Sequence, residues 1–330
     1  MSIVHDILKR REFQEAPPVL IDIGASGGLN SVWKQLARYS VCVAFDADQR
    51  EMGATQATSK IYKHLYVYDQ AVSSSPQPTS DFYLTKAPPC SSLLHPNTEK
   101  LAAWEFADRF TVLQKTAVKT IQIATVLSEL NLDRVDWFKS DSQGTDLRLF
   151  LSLPTSMREK TIVAEFEPGI LDSYEGEDKL WEVMRSMDES GFWMANIVIK
   201  GSNRIRKPLL QGFSGFERNY MVHLMKMSPG WAEVAYLNSF SADVFSQRDY
   251  LLGWVCASLK GQHGFALELA ATGVRRCGDP IFEQLKHHSL QGIRRSYVSF
   301  AAYFPLLRRV FRRWRKARAC RPAMVRTIEE

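Results

Sequence analysis

Two short apolar runs, each closed by a residue with a special role, constrain this chain more than any other feature. Val19-Leu-Ile-Asp-Ile23 is rich in β-branched residues and stops at Gly24, and Val41-Cys-Val-Ala-Phe45 stops at Asp46. Continuous apolar runs of this length read as strands buried on both faces. Residues 30–39 between them have helical spacing, so the order is strand, glycine turn, helix, strand. That order calls for a crossover between parallel strands. Pro17-Pro18 separates the first run from an amphipathic helix expected over 1–16.

The rest of the chain repeats the alternation. Strands are expected at 64–68, 81–85, 111–119, 135–139 and 161–166, with a late strand pair beginning at 191–199. Helices are expected at 98–108, 121–130 (with Thr120 as its cap), 144–151, 177–189, 248–260 and 264–275. The fold class is therefore α/β, a doubly wound, mostly parallel, Rossmann-like sheet covered on both faces, with a C-terminal helical extension. The division expected is an N-terminal helix over 1–18, the α/β domain over 19–238, the extension over 239–302 and a basic tail over 303–330. The chain is 330 residues long and 45% hydrophobic, enough for a substantial core.

The turn after the first strand bears on the ligand. Asp22-Ile-Gly24-Ala-Ser-Gly27-Gly28 sits where a strand hands over to a helix, and glycines there let the backbone approach a ligand closely. A dinucleotide fingerprint would need glycine at 26 and 29, where Ser26 and Leu29 stand, which disfavours a nicotinamide oxidoreductase. No Gly-Lys-Ser/Thr phosphate loop is present. The run fits D-x-G-x-x-G, the form found in S-adenosylmethionine-dependent methyltransferases of class I. In that reading Asp22 reaches the ammonium end of the cofactor and Asp46 accepts both ribose hydroxyls, as strand-end acids do in related nucleotide folds. Gly24, Ala25, Ser26 and Gly27 form the cradle.

Further motifs follow in order: Ala71-Val-Ser73, Pro89-Cys-Ser-Ser-Leu-Leu-His-Pro-Asn97, and Val135-Asp-Trp-Phe-Lys-Ser-Asp-Ser-Gln-Gly-Thr-Asp146. With Ile21–Gly28 and Ala44-Phe-Asp46 they resemble the FkbM family of methyltransferases over roughly residues 19–200. The last run matches the family's Lys-x-Asp-x-(Gln/Glu)-Gly-x-(Glu/Asp) at Lys139, Asp141, Gln143, Gly144 and Asp146. Two departures stand out: the family more often has Glu where Asp46 lies, and Asn with a single Gly where Ser26-Gly27-Gly28 occurs. The resemblance implies transfer of a methyl group from S-adenosylmethionine to a hydroxyl of a sugar, glycan or polyketide-type acceptor. It also implies that Ala71 and Val72, after the third strand, belong to the cofactor site, and it does not cover 240–330.

An alkyl hydroxyl is a poor nucleophile, so a base within reach of it is expected. Asp141, His95, Glu165 and Glu167 are the candidates, Asp141 foremost because it follows the fourth buried strand. Its alternative role is to cap the following helix at Gln143-Gly144, and that of His95 is a solvated loop residue. Asp141 and Glu165 together could hold a divalent cation such as Mg²⁺. A Ser-His-Asp hydrolase is excluded by the lack of a G-x-S-x-G elbow, so Ser91 and Ser92 are expected to hydrogen-bond the loop or the substrate. A methyltransferase-fold module that binds without catalysing is the competing reading.

Charge is uneven. Residues 294–330 hold eleven Lys/Arg against two acids, so of the net +6 the tail carries +9 and the remainder is at −3. Nucleic acid is therefore not an expected partner of the body. Leu306, Leu307, Val310, Phe311 and Trp314, ringed by Arg308, Arg309, Arg312, Arg313 and Lys316, suit peripheral contact with an anionic membrane. Five cysteines, at 42, 90, 256, 277 and 320, form no CxxC pair. They fit reduced thiols in a cytoplasmic protein without structural zinc.

Overall fold

The apolar runs form the strands that their pattern predicts. In order these are β1 (Val19–Ile23), β2 (Val41–Phe45), β3 (His64–Tyr68), β4 (Ala71–Val72), β5 (Thr79–Thr85), β6 (Val112–Ile121), β7 (Trp137–Ser140), β8 (Val163–Phe166), β9 (Phe192–Ser202) and β10 (Ser228–Asn238). The computed structural model describes residues 3–25, 31–48 and 59–298. Seven strands make one sheet in the order β3-β2-β1-β7-β8-β10-β9. β10 runs antiparallel to both β8 and β9, and every other neighbouring pair is parallel. A second sheet, β4-β6-β5, stands beside it, with β5 and β6 antiparallel.

Burial on both faces explains why β1 and β2 show no polar alternation. On one face Ile21, Ile23, Val43, Phe45, Phe138 and Phe166 pack against Val126 and Leu127 of helix Ile123–Glu129, Leu149 and Phe150 of helix Asp146–Leu151, and Val183 and Met187 of helix Leu180–Glu189. The rings of Phe138, Phe150, Phe166 and Phe192 pack at centroid separations of 5.3–6.1 Å through the middle of this core. On the opposite face Trp137 meets Trp33 edge-on at 5.9 Å.

Four helical expectations are corrected. The helix expected over 1–16 is two short ones among the described residues, Ile3–Leu8 and Arg11–Glu15. Residues 31–39 form two 3₁₀ segments, Ser31–Gln35 and Ala37–Tyr39, rather than an α-helix. Trp33, Leu36 and Ala37 are buried, since i, i+3, i+4 spacing buries one face in either helix type. The helix expected over 98–108 splits into Thr98–Leu101, capped by the Asn97 side chain, and a 3₁₀ segment Glu105–Phe110 that buries Phe106 and Phe110. Thr120 lies inside β6, and Gln122 takes the cap position of the next helix without a side-chain bond.

The chain divides into two compact units, 1–260 and 261–330. Helix Gln247–Leu259, grouped with the extension on its sequence, belongs to the first. There Arg248 grips Asp136 through two nitrogens at 2.9 and 2.8 Å, and Asp136 also accepts from the amide of Val19 at 2.9 Å. This buried ion pair joins the helix to the starts of β1 and β7. In the second unit, helices His263–Cys277 and Ile281–Val298 pack on each other, with the ring of Phe282 where a side chain on Gly273 would lie. No described helix is long and apolar enough to cross a membrane. The basic tail, 303–330, lies outside the described residues.

Candidate functional site

Strand order reverses between β1 and β7, and ligands of open α/β sheets bind at the carboxyl ends of strands beside such a switch. A cleft of about 440 Å³ opens there, lined by Gly24, Asp46, Ala71, Val72, Phe82 and Asp141 among others. β1 ends at Gly24, whose amide and that of Ala25 bond the carbonyl of Phe45 at 3.0 and 3.2 Å. Gly24 has φ +74°, and a Cβ on it would fall 2.2 Å from the carbonyl oxygen of Asp141. The glycine is thus required by the close approach of two chain segments, before any ligand is considered. Asp46 lines the cleft with one carboxylate oxygen accepting from the amide of Asp48 at 2.8 Å.

The turn after β7 forms the opposite wall. Gln143 (φ +58°) and Gly144 (φ +110°) reverse the chain, and a Cβ on Gly144 would come within 3.0 Å of Leu94 and Glu177. Asp146 holds the turn from beneath: one oxygen accepts from the Ser140 hydroxyl (2.7 Å), the Ser142 amide (2.8 Å) and the Ser142 hydroxyl (2.6 Å). Its other oxygen takes the amide of Glu167 at 2.8 Å, tying the end of β8 to the end of β7. Burial pushes the Asp146 carboxyl up to about 6, against the pull of those serine donors. Asp141 does not take its alternative capping role: Thr145 holds the cap position of helix Asp146–Leu151 without a side-chain bond, and Asp141 accepts from the Gln143 side chain.

The Pro/Cys/Ser loop docks on this turn. Ser92 donates its hydroxyl to the carbonyl of Gln143 at 2.7 Å and accepts from the Leu94 amide at 3.0 Å. The Tyr174 hydroxyl lies 2.9 Å from both the Cys90 carbonyl and the Gln143 side-chain oxygen. The two motifs that most specifically carry the family resemblance are thus packed together around one carboxylate, Asp141.

Asp141 lines three cavities at once: the cleft, a cavity of about 710 Å³ shared with Lys139, Glu165, Glu167 and Lys260, and one of about 940 Å³. The largest has aromatic walls from Phe106, Phe110, Tyr174 and Trp231 and polar groups from Arg109, Lys200 and Glu233. Glu167 faces both of the larger cavities and hydrogen-bonds Asp141. Burial, then the Asp141 charge, pushes its carboxyl up to about 9. The raised carboxyl of Glu167 favours its protonated form, in which it donates to Asp141.

A row of alternating charges crosses the far face of the sheet. Asp22, Lys139 and Glu165 stand in register on β1, β7 and β8. Lys139 Nζ lies 2.6 Å from Asp22, while Glu165 meets Lys260 and the Trp137 indole nitrogen, the latter at 3.0 Å. Burial works against the Lys139 ammonium, but the carboxylates of Asp22 and Asp141 outweigh it and raise its proton affinity. Asp22, expected beside the cofactor's ammonium, is instead fully enclosed in this row and does not line the cleft.

The structure thus brings Gly24, Asp46, Ala71, Val72 and Asp141 into one cleft and sets Ala25 buried behind it. Ser26 and Gly27 lie outside the described residues. Glu165 is committed to Lys260 and Trp137, so sharing a cation with Asp141 would require breaking those bonds. Among the described residues no group of three or more His, Cys, Asp or Glu is placed to hold a metal. His95 is half-exposed, its Nδ1 3.3 Å from Glu175 and its ring edge-on to Tyr83, away from Asp141's cavities. Sequence reasoning missed Arg109, Tyr174, Lys200, Trp231 and Glu233. Tyr174 comes from a loop and Arg109 from a 3₁₀ segment, while Lys200, Trp231 and Glu233 lie in β9 and β10, a late pair whose register is set only in the assembled sheet.

Comparison with known families yields no matching family model, and no curated protein matches the chain.

Proposed function

We propose that this protein is an S-adenosylmethionine-dependent methyltransferase acting on a hydroxyl group, with Asp141 as the base. The observation that carries the reading is the position of Asp141. It forms the wall between a strand-end cleft bearing Asp46 and a large cavity with aromatic sides. A donor in the first and an acceptor in the second would meet at this carboxylate.

The donor set of the cleft fits the cofactor. Asp46 presents a carboxylate at the end of β2, suited to a ribose diol, and Phe45, Ala71, Val72 and Phe82 offer apolar contact for a purine. When bound, the cofactor supplies an electrophilic methyl group. The protein's part is to align the acceptor and take its proton. Orientation alone can contribute about 7–11 kcal/mol, and a positioned base about 10²–10⁴-fold in rate. Asp141 accepts the hydroxyl proton, while Glu167 and Gln143 fix its orientation by donating hydrogen bonds to it.

Titration calorimetry with S-adenosylmethionine and S-adenosylhomocysteine tests the cleft. Micromolar binding by the parent protein, abolished in Asp46→Ala, is expected. No binding by the folded parent protein would overturn the reading. Asp141→Asn should retain the cofactor and lose turnover on hydroxylated acceptors.

A further inference from the structure

Between β9 and β10 the chain leaves the sheet as an arm, residues 203–227, whose exposure is unlike the rest of the first unit. After Asn203 no described residue up to Leu224 is buried. Even so, the arm contains a well-formed helix, Gly215–Leu224, started by a capping box in which Ser214 accepts from the Glu217 amide and Glu217 accepts from the Ser214 amide. Phe216, Tyr220 and Leu224 lie at i, i+4 and i+8 on one side of it, 78%, 57% and 64% exposed, with the first two rings stacked at 5.9 Å. Leu209 and Met227, 64% and 56% exposed, extend the apolar surface beyond the helix. A helix of ten residues with no buried residue among those described is marginal in water by itself, so such a ridge calls for a partner.

The arm's charge selects among partners. Arg204, Arg206, Arg218 and Lys226 are exposed and pair with no acid among the described residues. The only acid in 203–227 is Glu217, which is engaged in the cap. A second copy of the arm would bring like charges together. Nucleic acid would meet the cations but offers nothing to the aliphatic Leu209, Leu224 and Met227. An apolar ridge flanked by unpaired cations matches a bilayer with anionic headgroups, which accepts the ridge below its surface and the cations at it.

We propose that the arm, through Phe216, Tyr220 and Leu224, docks the protein on an anionic phospholipid surface. The root of the arm is fixed to the 3₁₀ segment Glu105–Phe110. The Glu105 amide donates to the Asn203 carbonyl at 3.1 Å and Lys207 pairs with Asp108. Phe106, Arg109 and Phe110 of that segment line the aromatic cavity, so the root of the arm and one wall of that cavity share a segment. The inference does not depend on the methyl-transfer reading.

The test is co-sedimentation of the full chain with phosphatidylcholine vesicles, with and without phosphatidylglycerol. It compares the parent protein with a Phe216→Ser, Tyr220→Ser, Leu224→Ser triple variant. The parent should bind only the anionic vesicles, and the variant should bind about tenfold more weakly or worse. Far-ultraviolet circular dichroism and the urea midpoint should be unchanged, because these side chains are exposed. Failure of the parent to bind would overturn the proposal. So would equal binding by the variant, which would assign any membrane contact to 303–330. Loss in the variant of self-association or of oligonucleotide binding, without loss of vesicle binding, would overturn it as well.

Discussion

Replacing Glu167 by glutamine keeps the shape of the side chain and a donor toward Asp141 but removes the titratable proton. Folded, the Glu167 carboxyl is pushed up to about 9 from an ordinary 4.5, first by burial and then by the Asp141 charge. A carboxyl raised on folding favours the protonated state. Its stabilisation is fully present below the unfolded pKa, about 4.5, and is lost as pH rises through about 9. Within that window one extra proton is bound by the native state, which corresponds to about 1.4 kcal/mol of stability lost per pH unit. Between pH 5.5 and 8.5 the parent protein should therefore lose roughly 3–4 kcal/mol relative to Glu167→Gln, whatever the other groups do.

Urea titrations at half-unit pH steps, followed by tryptophan fluorescence, measure this difference directly. The stability curves of parent and variant should meet near pH 4.5 and diverge toward alkaline pH, with the glutamine variant the more stable. Parallel curves would mean that Glu167 titrates normally, and its hydrogen-bond donation to Asp141 would have to be abandoned. A variant less stable at every pH would mean that glutamine cannot make the bond to Asp141. The slope comparison would still stand, because it does not depend on the offset.

Gly24→Ala should lose more than about 1 kcal/mol of stability, because a Cβ there meets the Asp141 carbonyl at a positive φ, and S-adenosylhomocysteine binding should weaken with it; melting curves and calorimetry check both. Arg248→Met leaves Asp136 buried without its partner and should cost about 3–5 kcal/mol, read from the urea midpoint. Asp22→Asn and Lys139→Met should each destabilise the fold, and the double variant should cost less than the two summed. If Asp22 bound the cofactor instead, Asp22→Asn would weaken S-adenosylhomocysteine binding with no coupling to Lys139 in stability.

Much of the sheet could be read from the chain itself. The runs at 19–23, 41–45 and 64–68 became strands on their predicted residues, and the late pair appeared as β9 and β10. Apolar continuity and β-branching carry that information locally. Helix type did not come through, as at 31–39, because a buried stripe of i, i+3, i+4 residues satisfies both a 3₁₀ and an α-helix. The cleft was legible at Gly24, Asp46, Ala71, Val72 and Asp141, which are fixed by strand ends. The aromatic cavity was not, because Phe106, Tyr174 and Trp231 converge only once β8, β10 and the segment 105–110 are assembled.

Asp22 shows how spacing and parity can point different ways. Counted from Gly24, it stands where a cofactor-binding acid is expected. Counted along β1, it alternates with Ile21 and Ile23, which belong to the core on one face of the sheet. A strand sends successive side chains to opposite faces, so Asp22 must leave that core on the other side. There the register with β7 sets Lys139 beside it, and the next strand adds Glu165. Parity can be read from one strand, but the partner cannot, because register is a property of the assembled sheet. Parity does not separate two acids near one strand end, because Glu165 and Glu167, two residues apart, leave β8 on the same side. Register does: it sets Glu165 beside Lys139 in the charged row, and Glu167, just beyond the strand, hydrogen-bonds Asp141. Choosing between these carboxylates as the partner of Asp141 therefore required the pairing of β7 with β8, and that pairing selects Glu167.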